Sequence, residues 1–84
     1  MNHHDRIVFA REMTNGARTR QFEVNSAGVE GWRIRESRDG AVVRQVIYDD
    51  WHRVELQVSG FVAEIARLKN EGWRRTGPSV APKT

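Results

Sequence analysis

Hydrophobic positions in the second half of the chain recur with a helical period. Trp51, Val54, Val58, Phe61, Ile65 and Leu68 are separated by three, four, three, four and three residues, which draws one apolar seam along a helix. Asp49 or Asp50 suits its start, because a carboxylate accepts hydrogen bonds from the unpaired first amides and favours the positive end of the helix dipole. Gly72 suits the left-handed residue that ends a helix, and Trp73 stands where it can fold back on Leu68. The pattern predicts a helix of about 22 residues between Tyr48 and Trp73, roughly 33 Å long.

Upstream the period changes to two. Asp5 to Thr14, Arg18 to Asn25, Trp32 to Ser37 and Ala41 to Tyr48 read as strands. In the second, Phe22 and Val24 alternate with Gln21 and Glu23; in the third, Trp32 and Ile34 alternate with Arg33 and Arg35. Asn15-Gly16 and Asp39-Gly40 are hairpin signals, and Ser26 to Gly31 is a glycine-marked loop. The fourth strand is apolar at both parities, which predicts a central place in the sheet. Arg74 to Thr84 holds two prolines and no period, as in a loose tail. The predicted fold is α+β: a four-stranded antiparallel meander covered by one long C-terminal helix, with residues 1–73 as a single ββββα domain and 74–84 as a flexible tail.

Composition narrows the function. In 84 residues, hydrophobic residues make up 38% and charged ones 30%, which places the chain among globular domains rather than disordered ones. Without cysteine there are no disulfides or thiolate metal sites, which suits a reducing cytoplasm. The N-terminus lacks a signal peptide's apolar core, and no apolar run is long enough to span a bilayer. The net charge of +3 leaves nucleic acid open as a partner. Nearly all of the basic residues are arginine, the better side chain for forked phosphate contacts and base stacking. A GC-rich genome produces the same arginine bias.

With the helix over Phe22, Val24, Trp32 and Ile34, the opposite sheet face shows Gln21, Glu23, Arg33 and Arg35. Guanidinium groups there can meet phosphates and stack on bases. Arg33 and Arg35 are the central candidates for nucleic-acid binding, with Arg20, Arg44 and Arg53 as supporting phosphate contacts. A merely solvated face of mixed charge is the competing reading. The run Trp32-Arg33-Ile34-Arg35-Glu36, then Asp39-Gly40, a further strand and Trp51 near the helix start resembles the transcriptional coactivator family positive cofactor four. That resemblance covers roughly Phe22 to Leu68. It implies a strands-then-helix fold, a dimer, and single-stranded nucleic acid bound on the sheet, as in the broader whirly and purine-rich-element-binding folds. Where that family has a lysine-glycine strand, this chain has Arg44-Gln45-Val46-Ile47.

Leu56 and Val62 widen the helix's apolar surface beyond the seam, which points to a homodimer through the helix flank; packing of the whole stripe on its own sheet is the alternative. Gly60 marks either a kink or a close backbone approach. The titratable cluster Asp49, Asp50 and His52 is accounted for by the helix start, and His52 has no evident third ligand. No nucleophile motif, phosphate-cradling loop or zinc spacing occurs. The expectation is a binding module of bacterial type with no catalytic residues, metal, cofactor, small-molecule substrate or membrane partner. Its rival is a protein-interaction homodimer with no nucleic-acid activity.

Overall fold

The computed structural model describes residues 7–76. The predicted start of the first strand at Asp5, the histidines His3 and His4, and the tail beyond Thr76 lie outside the described residues. Five strands and one helix follow in order: β1 (Ile7–Asn15), β2 (Arg18–Ser26), β3 (Trp32–Arg38), β4 (Ala41–Tyr48), α1 (Trp51–Asn70) and β5 (Arg74–Thr76). A single 3-10 turn, Gly28–Glu30, joins β2 to β3. All strand pairs are antiparallel, and the sheet order is β4-β3-β2-β1-β5. The predicted meander is therefore present, with a fifth strand added at its β1 edge.

Both hairpins form, but the first turns on Gly16 and Ala17 rather than on Asn15-Gly16: Asn15 still pairs with Arg18 as the last residue of β1, and of that turn only Gly16 has a positive φ, of 64°. Asp39 and Gly40, with φ of 53° and 86°, supply the two positive angles of a type I′ turn between Arg38 and Ala41. The Asp39 carboxylate also accepts from the Thr19 amide at 2.8 Å, and the Asp39 amide donates to the Thr19 carbonyl. Gly31 enters β3 at φ 110°, and a Cβ there would lie 2.1 Å from the Tyr48 carbonyl oxygen. Only glycine lets these two backbones pass so closely.

Helix α1 begins and ends as its sequence predicts. Asp50 is the N-cap, its carboxylate accepting from the His52 amide at 3.0 Å. At the C-terminus, Gly72 takes φ 97°, its amide donates to Lys69 O, and the Trp73 amide donates to Leu68 O at 3.0 Å. This is the Schellman arrangement, and Trp73 and Leu68 both join the core beneath it. Val54, Phe61, Ile65 and Leu68 are buried against Met13, Phe22, Val24 and Ile34. The Phe61 ring lies 5.0 Å from Phe22 and 6.1 Å from Phe9. Trp51, expected in the seam, is 42% exposed at the rim, where its ring meets Trp32 at 5.1 Å.

Two expectations are corrected. Arg74 to Thr76 is not tail but strand: the Schellman turn reverses the chain and delivers these residues alongside Glu12 to Thr14, whose backbone groups would otherwise stand unpaired. And β4 is not central but the outermost strand. Arg44, Val46 and Tyr48 lie opposite Glu36, Ile34 and Trp32 and share the helix side, whereas Val42, Gln45 and Ile47 lie opposite Ser37, Arg35 and Arg33 on the other face. A bulge inserts Val43 as an extra residue. The doubled parity of apolar residues comes from that bulge and an exposed aliphatic edge, not from burial on both sides.

Candidate nucleic-acid interface

The face of the sheet away from α1 brings Arg33 and Arg35 together, two residues apart on β3, as the alternation requires. Arg33 lies between Asn25 and Ile47, and Arg35 between Glu23 and Gln45. The Arg35 Nε donates to Gln45 Oε1 at 3.1 Å, and its Nη1 is 3.6 Å from Glu23 Oε1. Arg33 makes no ion pair among the described residues. Strand β5 adds Arg74 to the same face, opposite Thr14. Gln21, Thr14, Thr19 and Asn25 supply amide and hydroxyl groups around these arginines, and Glu12 and Glu23 supply negative charge. This makes a solvent-facing, hydrogen-bonding surface.

No aromatic side chain stands on it. Phe9, Phe22, Trp32 and Tyr48 occupy the helix side of the strands, Trp51 and Phe61 belong to α1, and Trp73 is buried. Base stacking on this face is therefore left to guanidinium planes. The sequence pattern already placed Phe22 and Trp32 at the parity of the core.

The structure separates the supporting arginines from Arg33 and Arg35. Arg20 is 7% exposed beneath the helix. Its Nη2 donates to Glu36 at 2.7 Å and its Nη1 to Glu64 at 2.9 Å, while its guanidinium sits 5.2 Å from the Phe22 ring centre. It is an internal tie between sheet and helix, closed to phosphate. Arg44 donates to Gln57 on α1 at 2.7 Å, and Arg53 lies over the Tyr48 ring. Both are on the helix side, so neither shares a surface with Arg33 and Arg35. Arg20 and Arg44 have the parity of the core, and that parity draws long cationic side chains toward carboxylate and amide partners on the helix.

Glu64 is the hub of this tie. Hydrogen bonding from Arg67 holds its carboxyl below the usual range, Arg20 adds to the effect, and partial burial opposes it. The same contact raises Arg67, which also bonds Glu71. Beside the tie, an open groove of about 350 Å³ runs between α1 and the β3–β4 edge, lined by Glu36, Arg44, Leu56, Gln57 and Gly60 among others. Among the described residues nothing outside the helix's own backbone lies within 4 Å of a Cβ built on Gly60, so no other element's backbone approaches it.

A second set of arginines gathers at the hairpin end. Arg75, Met13, Arg20 and Arg38 lie abreast across β5, β1, β2 and β3. Arg18 stands two residues along from Arg20, its guanidinium 5.4 Å from the Trp73 ring centre. Arg18, Arg38 and Arg75 are exposed. The first two were legible, because alternate turns of a meander share an end and so bring their flanking residues together. Arg75 was not, since it depends on β5.

Leu56 and Val62, the expected dimer contacts, are 59% and 53% exposed. Six residues apart, they point about 120° apart around the helix axis. Leu56 lines the groove beside β4 and Val62 does not. Among the described residues no cluster of three His, Cys, Asp or Glu forms a metal site, and no helix is long and apolar enough to cross a membrane. No protein-family model, curated protein or solved structure matches the chain.

Proposed function

We propose that this protein is a small cytoplasmic nucleic-acid-binding module, not an enzyme, which holds single strands against the open sheet face. The observation that carries the reading is that Arg33, Arg35 and Arg74 share one hydrogen-bonding sheet face that no other described element covers. Phosphates pair with the guanidinium groups, and unstacked bases lie against the guanidinium planes and the amides of Gln21, Asn25 and Gln45. The resemblance of Trp32-Arg33-Ile34-Arg35-Glu36, Asp39-Gly40 and Trp51 to positive cofactor four points the same way.

The contribution is mostly electrostatic, so salt is the test. Three neutralised phosphates give a slope of log affinity on log salt near −2 for a single strand. Replacing Arg33 and Arg35 together by alanine removes about 1.4 from that slope and leaves the melting temperature unchanged, because neither side chain is part of the core. Fluorescence anisotropy of a labelled mixed-sequence strand across a salt series measures it. Unchanged affinity and slope in the double variant would overturn the reading.

The rival reading, a protein-interaction module, is favoured by one specific feature: the exposed aliphatic residues along β4.

A further inference from the structure

The two edges of the sheet are built differently. On the β1 side the edge is covered along Glu12 to Thr14 by β5, three residues long, Arg-Arg-Thr, short and charged in the way that blunts edge pairing. The β4 edge is eight residues long and carries Val42, Val43 and Ile47, each about half exposed. It contains no proline or lysine. Its one charged residue, Arg44, is turned under the sheet to bond Gln57. The bulge lies at the Ala41 end, so Arg44 to Tyr48 form a regular unpaired ladder. On the helix side, exposed Leu56 flanks the same edge beside Arg44. Unprotected edges of this kind are templates for another strand.

We propose that β4 pairs antiparallel with β4 of a second copy about a two-fold axis normal to the sheet, with Gln45 on the axis. Two-fold symmetry supplies the occupant, and the residue pattern of β4 selects the register. A two-fold axis makes a strand antiparallel to itself, so the interface is self-complementary without any other partner. Directly opposed residues share a face, so the axis must pass through a residue. Centred on Arg44, the pair sets guanidinium against guanidinium on the crowded helix side. Centred on Val46, it carries Val43 past the end of its partner strand. Centred on Gln45, it places Arg44 opposite Val46 and Val43 opposite Ile47, twice over, covering the exposed aliphatic positions with each other.

The result is a continuous ten-stranded sheet, twice the five-stranded one. Both open faces lie on the same side, with the two β3 strands three strand spacings apart, about 14 Å. Arg33 and Arg35 of each copy then flank an aliphatic strip on the axis. This last consequence rests on the nucleic-acid reading; the pairing itself does not.

The chain has no cysteine, which gives a direct test. In Gln45→Cys the only thiol lies on the axis beside its own copy, and mild oxidation should crosslink it roughly tenfold or more faster than Val62→Cys, whose thiol is remote from the edge and meets another only by collision. Sedimentation of the unmodified full chain over a dilution series should give twice the monomer mass at the higher concentrations. Val43→Lys with Ile47→Lys should give the monomer mass, with an unchanged circular dichroism spectrum. If the double variant fails to fold, the crosslinking comparison decides alone. A monomer throughout, a dimer indifferent to the lysines, or equal crosslinking at the two cysteines would each overturn the proposal. Arg33→Ala with Arg35→Ala leaves the mass unaltered, so loss of oligonucleotide binding and loss of the dimer are separable failures.

Discussion

Replacing Arg20 by methionine tests the account of the interior most sharply. The side chain is 7% exposed and ties Glu36 on β3 to Glu64 on α1. Methionine keeps most of the volume and the contact with Phe22, so the change mainly removes charge. Two carboxylates then face each other across an apolar gap. Removing one partner of a fully buried ion pair costs about 3–5 kcal/mol. Here the glutamates keep 17% and 29% of their side-chain exposure and part of their hydration, which lowers the expected loss to about 2–3 kcal/mol. For a domain of this size that is a fall in Tm of about 10–20 °C.

The pH dependence has a definite sign. In the native protein the Glu64 carboxyl is depressed, first by Arg67 and then by Arg20. Its stabilising contribution is therefore present at neutral pH and is lost as pH falls through the folded value. In the variant, Glu64 loses the Arg20 cation that helps to depress it and faces Glu36 across the gap, so its folded value rises and the penalty is relieved by acid. The gap between variant and native Tm should narrow from neutral pH toward about pH 4. Adding Glu36→Gln and Glu64→Gln to the methionine variant should recover most of the loss, since the exposed Arg67 pairs are worth little. Thermal melts followed by circular dichroism suffice. A methionine variant that melts with the native protein, or a gap that does not change with pH, would refute the argument.

Two glycines should respond in opposite directions. Gly31→Ala drives a Cβ into the Tyr48 carbonyl and holds alanine at φ 110°; a loss of more than about 3 kcal/mol in chemical denaturation is expected. Gly60→Ala meets open space on a helix, and a gain of about 0.5–1 kcal/mol follows from propensity alone. Asp50→Ala removes the acceptor for the His52 amide and should cost about 1 kcal/mol, read as a Tm lowered by about 5 °C. An Asp50 variant as stable as the native chain would mean that Asp49 or water replaces the cap.

Local chemistry was legible along the chain. The cap at Asp50, the Schellman turn at Gly72 and Trp73, the Asp39-Gly40 hairpin and the alternation that puts Arg33 and Arg35 on the other face of the sheet from Phe22 and Ile34 each depend on neighbours within a few residues. For the same reason the core of Phe22, Val24, Ile34, Val54, Phe61, Ile65 and Leu68 followed from periods of 2 and 3.6. Arg20 shows where such reading ends. Alternation assigned it a parity, but whether a long cation at that parity meets solvent or two glutamates depends on Glu64, 44 residues away.

Tertiary structure decided the rest, and in each case the reason is a partner distant in sequence. Arg74 to Thr76 have no strand pattern of their own; they become β5 because the helix ends beside the free edge of β1. Val42, Val43 and Ile47 look like core until the sheet order leaves β4 on the outside and the bulge turns both valines away from the helix. Leu56 lines the groove beside β4 and Val62 does not, a difference set by how the helix is seated on the sheet. Sequence period determines which face of an element is apolar. What that face meets is decided by long-range assembly, because burial is a property of the neighbours that arrive.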